Sequence, residues 1–369
     1  MATAPLPLMK VHMPADAGRE VAEVLASGFV STGSRTDEFE QRFGELVGNP
    51  HAVATNCGSS ALMLALHLAG IRPGDEVIST PLTCLSVNES LLHTGATLVW
   101  ADIDPQTGNI DPASIRARLT ARTRAIVYSH WVGRLADIAA INAIAAEHGL
   151  KTIEDAASAL GGEHAGSPVG SHSDYVVFSF QAVKQITTGD GGMLTVRSAA
   201  ERQRAVLLRN HGNDRHARRT PLTLGFDVHE AGWKYQMNDI AATLGLCQLR
   251  AFPSLRERHR RNQSIYETRL ANVAGLTILR DYPQSRSNPW VYTVLVENRD
   301  GFIARLQERQ IGCSIVHMRN DTIAVFDRFR RDDLVALDRF YQQMINIPVG
   351  WWLDDEQIEQ ICDVIAGGW

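Results

Sequence analysis

The sequence predicts an α/β protein, with a large domain built on a mostly parallel sheet and a smaller α+β domain after it. Three observations carry this. The chain has 369 residues, too many for one small domain and well suited to one large domain plus a lesser one. From Asp75 onward, short apolar runs alternate with helical stretches, the pattern of parallel strands covered by helices on both faces. After Leu249 the texture changes to a long charged helix and scattered strands, so the expected division is 1–249 and 250–369.

In chain order, Pro5 to Val30 combines a proline-marked entry with an amphipathic stretch over Ala17 to Ala26. Val21, Val24 and Leu25 fall there at helical spacing, and the stretch is expected at the domain edge or across a subunit boundary. A polar turn, S-T-G-S-R-T-D-E-F-E, leads into a helix predicted over Thr36 to Val47. In T-N-C-G-S-S-A-L-M-L-A-L-H-L-A-G, residues Asn56 to Ser60 read as a turn and Ala61 to Leu68 as an apolar helix. A glycine-bearing turn that opens a helix presents unpaired N–H groups and a positive dipole end, which suits a phosphate; an ordinary serine N-cap accounts for the same residues.

Short strands are then expected at Val77 to Ser79, Leu98 to Ile103, Ala125 to His130, Lys151 to Glu154 and Tyr175 to Phe180, with helices at Pro112 to Leu119 and Ile138 to His148. Ligands on such sheets sit at the carboxyl ends of strands, where His130, Asp155 and Ser179 fall. Asp155, in I-E-D-A-A-S-A, reads either as a carboxylate for a ring nitrogen or as a helix N-cap. Trp131 reads as a pocket wall or as core.

The stretch D-Y-V-V-F-S-F-Q-A-V-K-Q-I-T-T-G-D-G-G-M-L-T-V places Lys184 in a loop between two buried strands. A lysine held at a sheet edge can lose part of its hydration, which lowers its pKa and frees its amine to attack a carbonyl; a solvated surface lysine in a Gly-rich loop is the other reading of a lone lysine. Ser179 stands at the preceding strand end, placed to hold an anion, and Gly189, Gly191 and Gly192 let backbone approach a ligand.

Lys+Arg of 36 against Asp+Glu of 41 gives a net charge of −5, so nothing advertises a nucleic-acid or anionic-membrane surface. The partner expected is a small molecule. Five cysteines without CxxC spacing argue against a disulfide framework or a zinc knuckle. No apolar run reaches the roughly 20 residues that span a bilayer and no secretory leader is apparent, so the expected location is cytoplasmic.

Past Val196, a helix over Glu201 to Arg209 leads into the basic segment R-N-H-G-N-D-R-H-A-R-R, either a solvated loop or an attractor of anionic substrate. The carboxyl-terminal part shows a helix at Leu255 to Leu270, a strand W-V-Y-T-V-L-V-E, a helix at Phe302 to Arg309 and a strand near Cys313 to His317.

The segment S-F-Q-A-V-K-Q-I-T-T-G-D-G-G resembles the S-F-x-x-x-K-x-x-T-T-G-x-G-G signature of the DegT/DnrJ/EryC1/StrS family of pyridoxal-phosphate-dependent sugar aminotransferases. The resemblance runs from about Thr55 into the final domain. It implies a fold-type-I architecture in which Lys184 carries pyridoxal phosphate as a Schiff base and, with the pyridoxamine form, passes an amino group from glutamate or glutamine to a keto-sugar, most simply a nucleotide-linked 3- or 4-keto-6-deoxyhexose. It implies that Ser59 and Ser60 hold the phosphate, beside the anion-holding place of Ser179, that Asp155 meets the pyridine nitrogen, and that Ser158 stands where the family usually has glutamine. Cys84, in P-L-T-C, occupies the place of a stacking aromatic. A-G-W-K-Y-Q-M-N-D resembles a segment that reaches across a homodimer to the partner's cofactor phosphate, with Lys234 at the family's asparagine and Gln236 at its arginine. His317 and Arg319, in I-V-H-M-R-N-D, match a substrate loop and are candidates for sugar or phosphate contacts, with a plain surface loop as the other reading; Trp131 is the third candidate substrate contact. Relatives acting on keto-cyclitols, and a non-catalytic cofactor-binding relative, are the other readings the resemblance leaves open.

Overall fold

Helices α1 (Ala17–Ser27) and α2 (Ser34–Val47) precede a strand, β1 (Ala52–Thr55), and helix α3 (Gly58–Leu68), in a computed structural model that describes residues 5–214 and 228–369. The expected alternation follows: β2 (Glu76–Ser79), α4 (Leu85–Leu92), β3 (Thr97–Trp100), α5 (Pro112–Arg118), β4 (Thr123–Ser129), α6 (Ile138–His148) and β5 (Lys151–Asp155). A small ribbon, β6 (Glu163–His164) and β7 (Ser167–Pro168), comes before β8 (Tyr175–Ser179) and β9 (Gly192–Val196), and α7 (Ala199–Leu208) follows.

The main sheet runs in the order β1-β9-β8-β5-β4-β2-β3. Only β9 is reversed, pairing antiparallel with β1 and β8, while β8, β5, β4, β2 and β3 pair in parallel. Both faces are covered, so β8 alternates its side chains between two cores: Tyr175 and Val177 enter one, Val176 and Phe178 the other. On the second face Phe39 and Phe43 of α2 meet Phe178 and Phe180 edge-on.

Helix α8 (Asp239–Arg269) is much longer than the Leu255 to Leu270 expected. Asn238 caps it, its side chain accepting from the Ala241 N–H. Pro253 removes one rung of the ladder, but burial of Leu246, Cys247 and Phe252 before it and of Leu255 just after holds the helix through it. The expected division at residue 249 thus falls inside α8, which packs on α1 and α2 at one end and on the last helix at the other.

The remainder comprises β10 (Leu276–Ile278), β11 (Ser285–Arg286), β12 (Tyr292–Val296), α9 (Arg299–Glu308), α10 (Val335–Gln343), β13 (Met344–Ile347) and α11 (Asp355–Ala366). Strands β10, β12 and β13 form a sheet over a third core, while β11 joins the β6–β7 ribbon. The strand expected near Cys313 to His317 does not form. Only Ser314 pairs with Asn346, and the Asn346 amide donates to the Val316 carbonyl at 2.6 Å, so the chain leaves the sheet edge and carries His317 toward the large domain. Among the described residues no helix is long and apolar enough to cross a membrane.

Candidate active site

Five segments converge at the carboxyl ends of β2, β4, β5 and β8 and at the start of α3. They enclose a cavity of about 310 Å³ whose walls include Lys184, Asp155, Ser158, Ser179, Ser59 and His317. Lys184 sits in the turn between β8 and β9. Its backbone N–H donates to Gln181 at 2.9 Å, and Thr187 and Thr188 tie the far side of the turn back to Phe180 at 3.1 and 3.0 Å. The loop glycines serve packing as well as access: a Cβ on Gly192 would lie 2.5 Å from the Cys57 carbonyl, so this glycine admits the α3 turn itself.

The Lys184 amine donates to the Ser158 hydroxyl at 2.9 Å and lies 4.3 Å from the centre of the Trp290 ring. Burial pushes its pKa below the ordinary lysine value, opposed by the charges of Asp155 and Cys84. Asp155 is fixed from two sides: one carboxylate oxygen accepts from Ser129 at 2.9 Å, the other from the Ala157 N–H at 3.0 Å. Ser129 in turn shares a 2.6 Å hydrogen bond with Thr83. On the opposite face of β5, Glu154 is fully buried and bonds His130 Nε2 at 2.9 Å. His130 Nδ1 accepts from the Ala136 N–H at 3.0 Å, so the proton of this imidazole is on Nε2 and points at Glu154.

The anion end is the first turn of α3. This helix begins at Gly58, three residues before the expected Ala61, with Cys57 as its N-cap and the Cys57 sulfur accepting from the Ser60 N–H. Ser59 faces the cavity beside Ser179. A Cβ on Gly58 would come within 3.1 Å of the Ser179 Cβ, so the two segments meet closely enough to form one cradle. Ser60 does not share it: it is buried, its hydroxyl donating to Asn56 at 2.6 Å, because a residue that far into the helix turns inward.

Trp131 combines both readings. It lines the cavity, yet it is 2% exposed and its indole N–H donates to Thr293 at 3.1 Å. His317 stacks on Trp290 with ring centres 6.0 Å apart. Burial, and the nearby Lys184 charge, hold its pKa down at about 4, so its ring is neutral at ordinary pH. Arg319, two residues on, is outside the cavity and bound to Asp321 at 2.6 Å and to Asp338, which consume its charge. Lys234 is likewise outside: it is exposed and donates to Gln236 at 2.7 Å. Arg209, the first cation of the basic segment, is buried against Glu40 and the Ala54 carbonyl and is structural; Arg215 to Arg219 of that segment lie outside the described residues.

Cys84 does line the cavity where the family has an aromatic. Sequence reasoning missed Trp290, Thr83 and Ser129. Thr83 lies within P-L-T-C in the turn after β2 and Ser129 ends β4, where such residues are looked for, whereas Trp290 carries no local signal.

The model of the DegT/DnrJ/EryC1/StrS aminotransferase family matches residues 12–366. The chain belongs to this family. It is 34% identical to the spore coat polysaccharide biosynthesis protein SpsC of Bacillus subtilis, over 94% of this chain and 92% of that one, and 34% identical to GDP-perosamine synthase of Caulobacter vibrioides, over 96% and 97%. Among solved structures it resembles the sugar aminotransferase CalS13 from Micromonospora echinospora, with a TM-score of 0.94, 35% identity and coverage of 99% and 100%. It also resembles the PLP-form of Spr1654 from Streptococcus pneumoniae, with a TM-score of 0.90, 25% identity and coverage of 98% of each chain. The fold is that of a fold-type-I enzyme, and the protein is a transaminase that uses pyridoxal phosphate. The residues present fit that group: an amine on one wall, a doubly held carboxylate, and the helix start at Ser59 faced by Ser179 of β8, which offer donors to a dianion.

Proposed function

We propose that this aminotransferase moves an amino group from glutamate or glutamine to a keto-sugar, a nucleotide-linked 3- or 4-keto-6-deoxyhexose, in amino-sugar biosynthesis. The observation that carries the reading is the partly dehydrated Lys184 amine, 2.9 Å from Ser158 and under the charge of Asp155, in the cavity between the strand ends and the loop that carries His317. Bound pyridoxal phosphate supplies the electron sink for the carbanion formed when the α-proton leaves.

The chain's own residues do the rest. Lys184 binds the cofactor and, once released from it, takes and returns the α-proton through Nζ, a task suited to an amine whose pKa is already lowered. Asp155 keeps the pyridine nitrogen protonated. Ser158, the partner of the free amine, is the short side chain that would meet the cofactor's ring hydroxyl. Ser59, Ser179 and the α3 N–H groups receive the phosphate; Ser60 stabilises the turn that presents them. His317, neutral and stacked, and Trp131 form the sugar-facing wall, whereas the paired Arg319 shapes its loop. Lys234, exposed on its own subunit, completes the phosphate site of a second copy in a homodimer. The names of GDP-perosamine synthase and of the sugar aminotransferase CalS13 support a sugar acceptor.

The test is incubation with glutamate or glutamine and a panel of nucleotide-linked keto-sugars and keto-cyclitols, with products read by mass spectrometry. Amination of a nucleotide-linked keto-sugar is expected. Conversion of cyclitols alone, or cofactor binding with no turnover on any acceptor, contradicts the reading.

A further inference from the structure

Trp290 belongs to none of the motifs that point to the active site, yet it touches the reactive loop twice. Its indole N–H donates to the Val183 carbonyl at 2.6 Å, on the residue just before Lys184. Its ring lies under the Lys184 ammonium at 4.3 Å, inside the range of a cation–π contact. The side chain is 5% exposed and its backbone N–H donates to Val132 at 2.8 Å, so the platform is anchored independently of the lysine. The residues leading into it brace the same loop: the Gln185 amide donates to the carbonyls of Ser158 and of Asn288, at 2.5 and 3.3 Å.

We propose that Trp290 is a positioning residue for Lys184, a platform on the carboxyl-terminal part of the chain that fixes the lysine loop through Val183 and holds the side-chain nitrogen against its π face whenever it is not bound to cofactor. This rests on the reading of Lys184 as the reactive amine. In a transamination the lysine is set free while the cofactor is in its amine form, and a long side chain with several rotatable bonds then needs a defined resting place within reach of the α-carbon. Ser158 supplies one hydrogen bond there and the indole face supplies the other contact. The platform opposes dehydration: burial favours the free amine, whereas the aromatic quadrupole favours the ammonium. The other titratable groups that face this amine are Asp155 at the end of β5, Cys84 before α4 and His317 on the substrate loop.

The experiment uses the full-length protein stripped of cofactor, with Trp290→Phe and Trp290→Leu variants, each checked for folding by its thermal transition. The pH dependence of acetylation of Lys184 by acetic anhydride is read by peptide mass spectrometry. In Trp290→Leu the inflection should move to lower pH by about half to one unit, the shift that loss of a cation–π contact of ordinary strength produces. Trp290→Phe keeps a π face, so its inflection should stay near that of the parent, while loss of the bond to Val183 slows recovery of the visible absorbance when pyridoxal phosphate is added back. An inflection unmoved in the folded Leu variant, or moved equally in Phe and Leu, overturns the proposal. A visible band that persists in Lys184→Ala overturns the role of the lysine instead, and the two failures are distinct.

Discussion

Asp155 and Lys184 make the sharpest claims on single side chains. Asp155→Asn keeps the size and one acceptor but removes the charge proposed to hold the pyridine nitrogen protonated. Transamination should fall by about 100-fold or more while the thermal midpoint barely moves; equal turnover in the variant contradicts the assignment. The sequence singled out these two because strand ends and a Gly-rich loop mark where a parallel sheet keeps its ligands. It did not reveal that Ser60 turns inward to Asn56, that Arg319 is consumed by Asp321 and Asp338, or that Trp290 lies beneath the lysine. Each of these depends on a partner, or on a helix phase, that motif spacing does not encode.

Two packing contacts set the behaviour of whole elements. Glu40 of α2 is 2% exposed, accepts from the Ala54 N–H of β1 at 2.9 Å, and pairs with Arg209 and with Arg202 at 2.8 Å, so it ties α2 and α7 to the sheet edge. Glu40→Ala leaves the Arg209 charge buried without its counter-ion and should cost about 3–5 kcal/mol, read from chemical denaturation. His259 of α8 is fully buried, with Nδ1 donating to the Pro289 carbonyl at 3.3 Å, and burial lowers its pKa from 6.5 to about 4. Between these values the unfolded chain holds a proton that the fold refuses. Stability therefore falls as pH drops from about 6.5 toward 4, and by pH 4.5 this one group accounts for about 2–3 kcal/mol. In His259→Gln the difference in stability between pH 7 and pH 4.5 should shrink by that amount; an unchanged difference contradicts the assignment. The alternation from β2 to β8 was legible because strands buried on both faces read as apolar runs. The start of α8 was hidden by Pro253, and β13 by a short apolar run beside a proline.

At the scale of the molecule, the amino-terminal stretch lies along α8 through Asp16 and Glu20, both bonded to Arg250, while Leu25, Phe29 and Val30 remain exposed, Phe29 at 83%. With Lys234 outside its own cavity, the expected assembly is a homodimer with shared sites. Lys234→Ala should weaken cofactor retention without unfolding the chain, and mixing it with Lys184→Ala should restore part of the activity by creating one intact site per mixed dimer. No recovery in verified mixed dimers contradicts sharing. The most direct test of the central claim is the absorbance spectrum of the protein with pyridoxal phosphate, before and after glutamate, beside Lys184→Ala. The predicted result is a visible band that shifts on adding glutamate and fails to form normally in the variant; a band that is absent from the parent, or unchanged in Lys184→Ala, contradicts Lys184 as the residue that holds the cofactor.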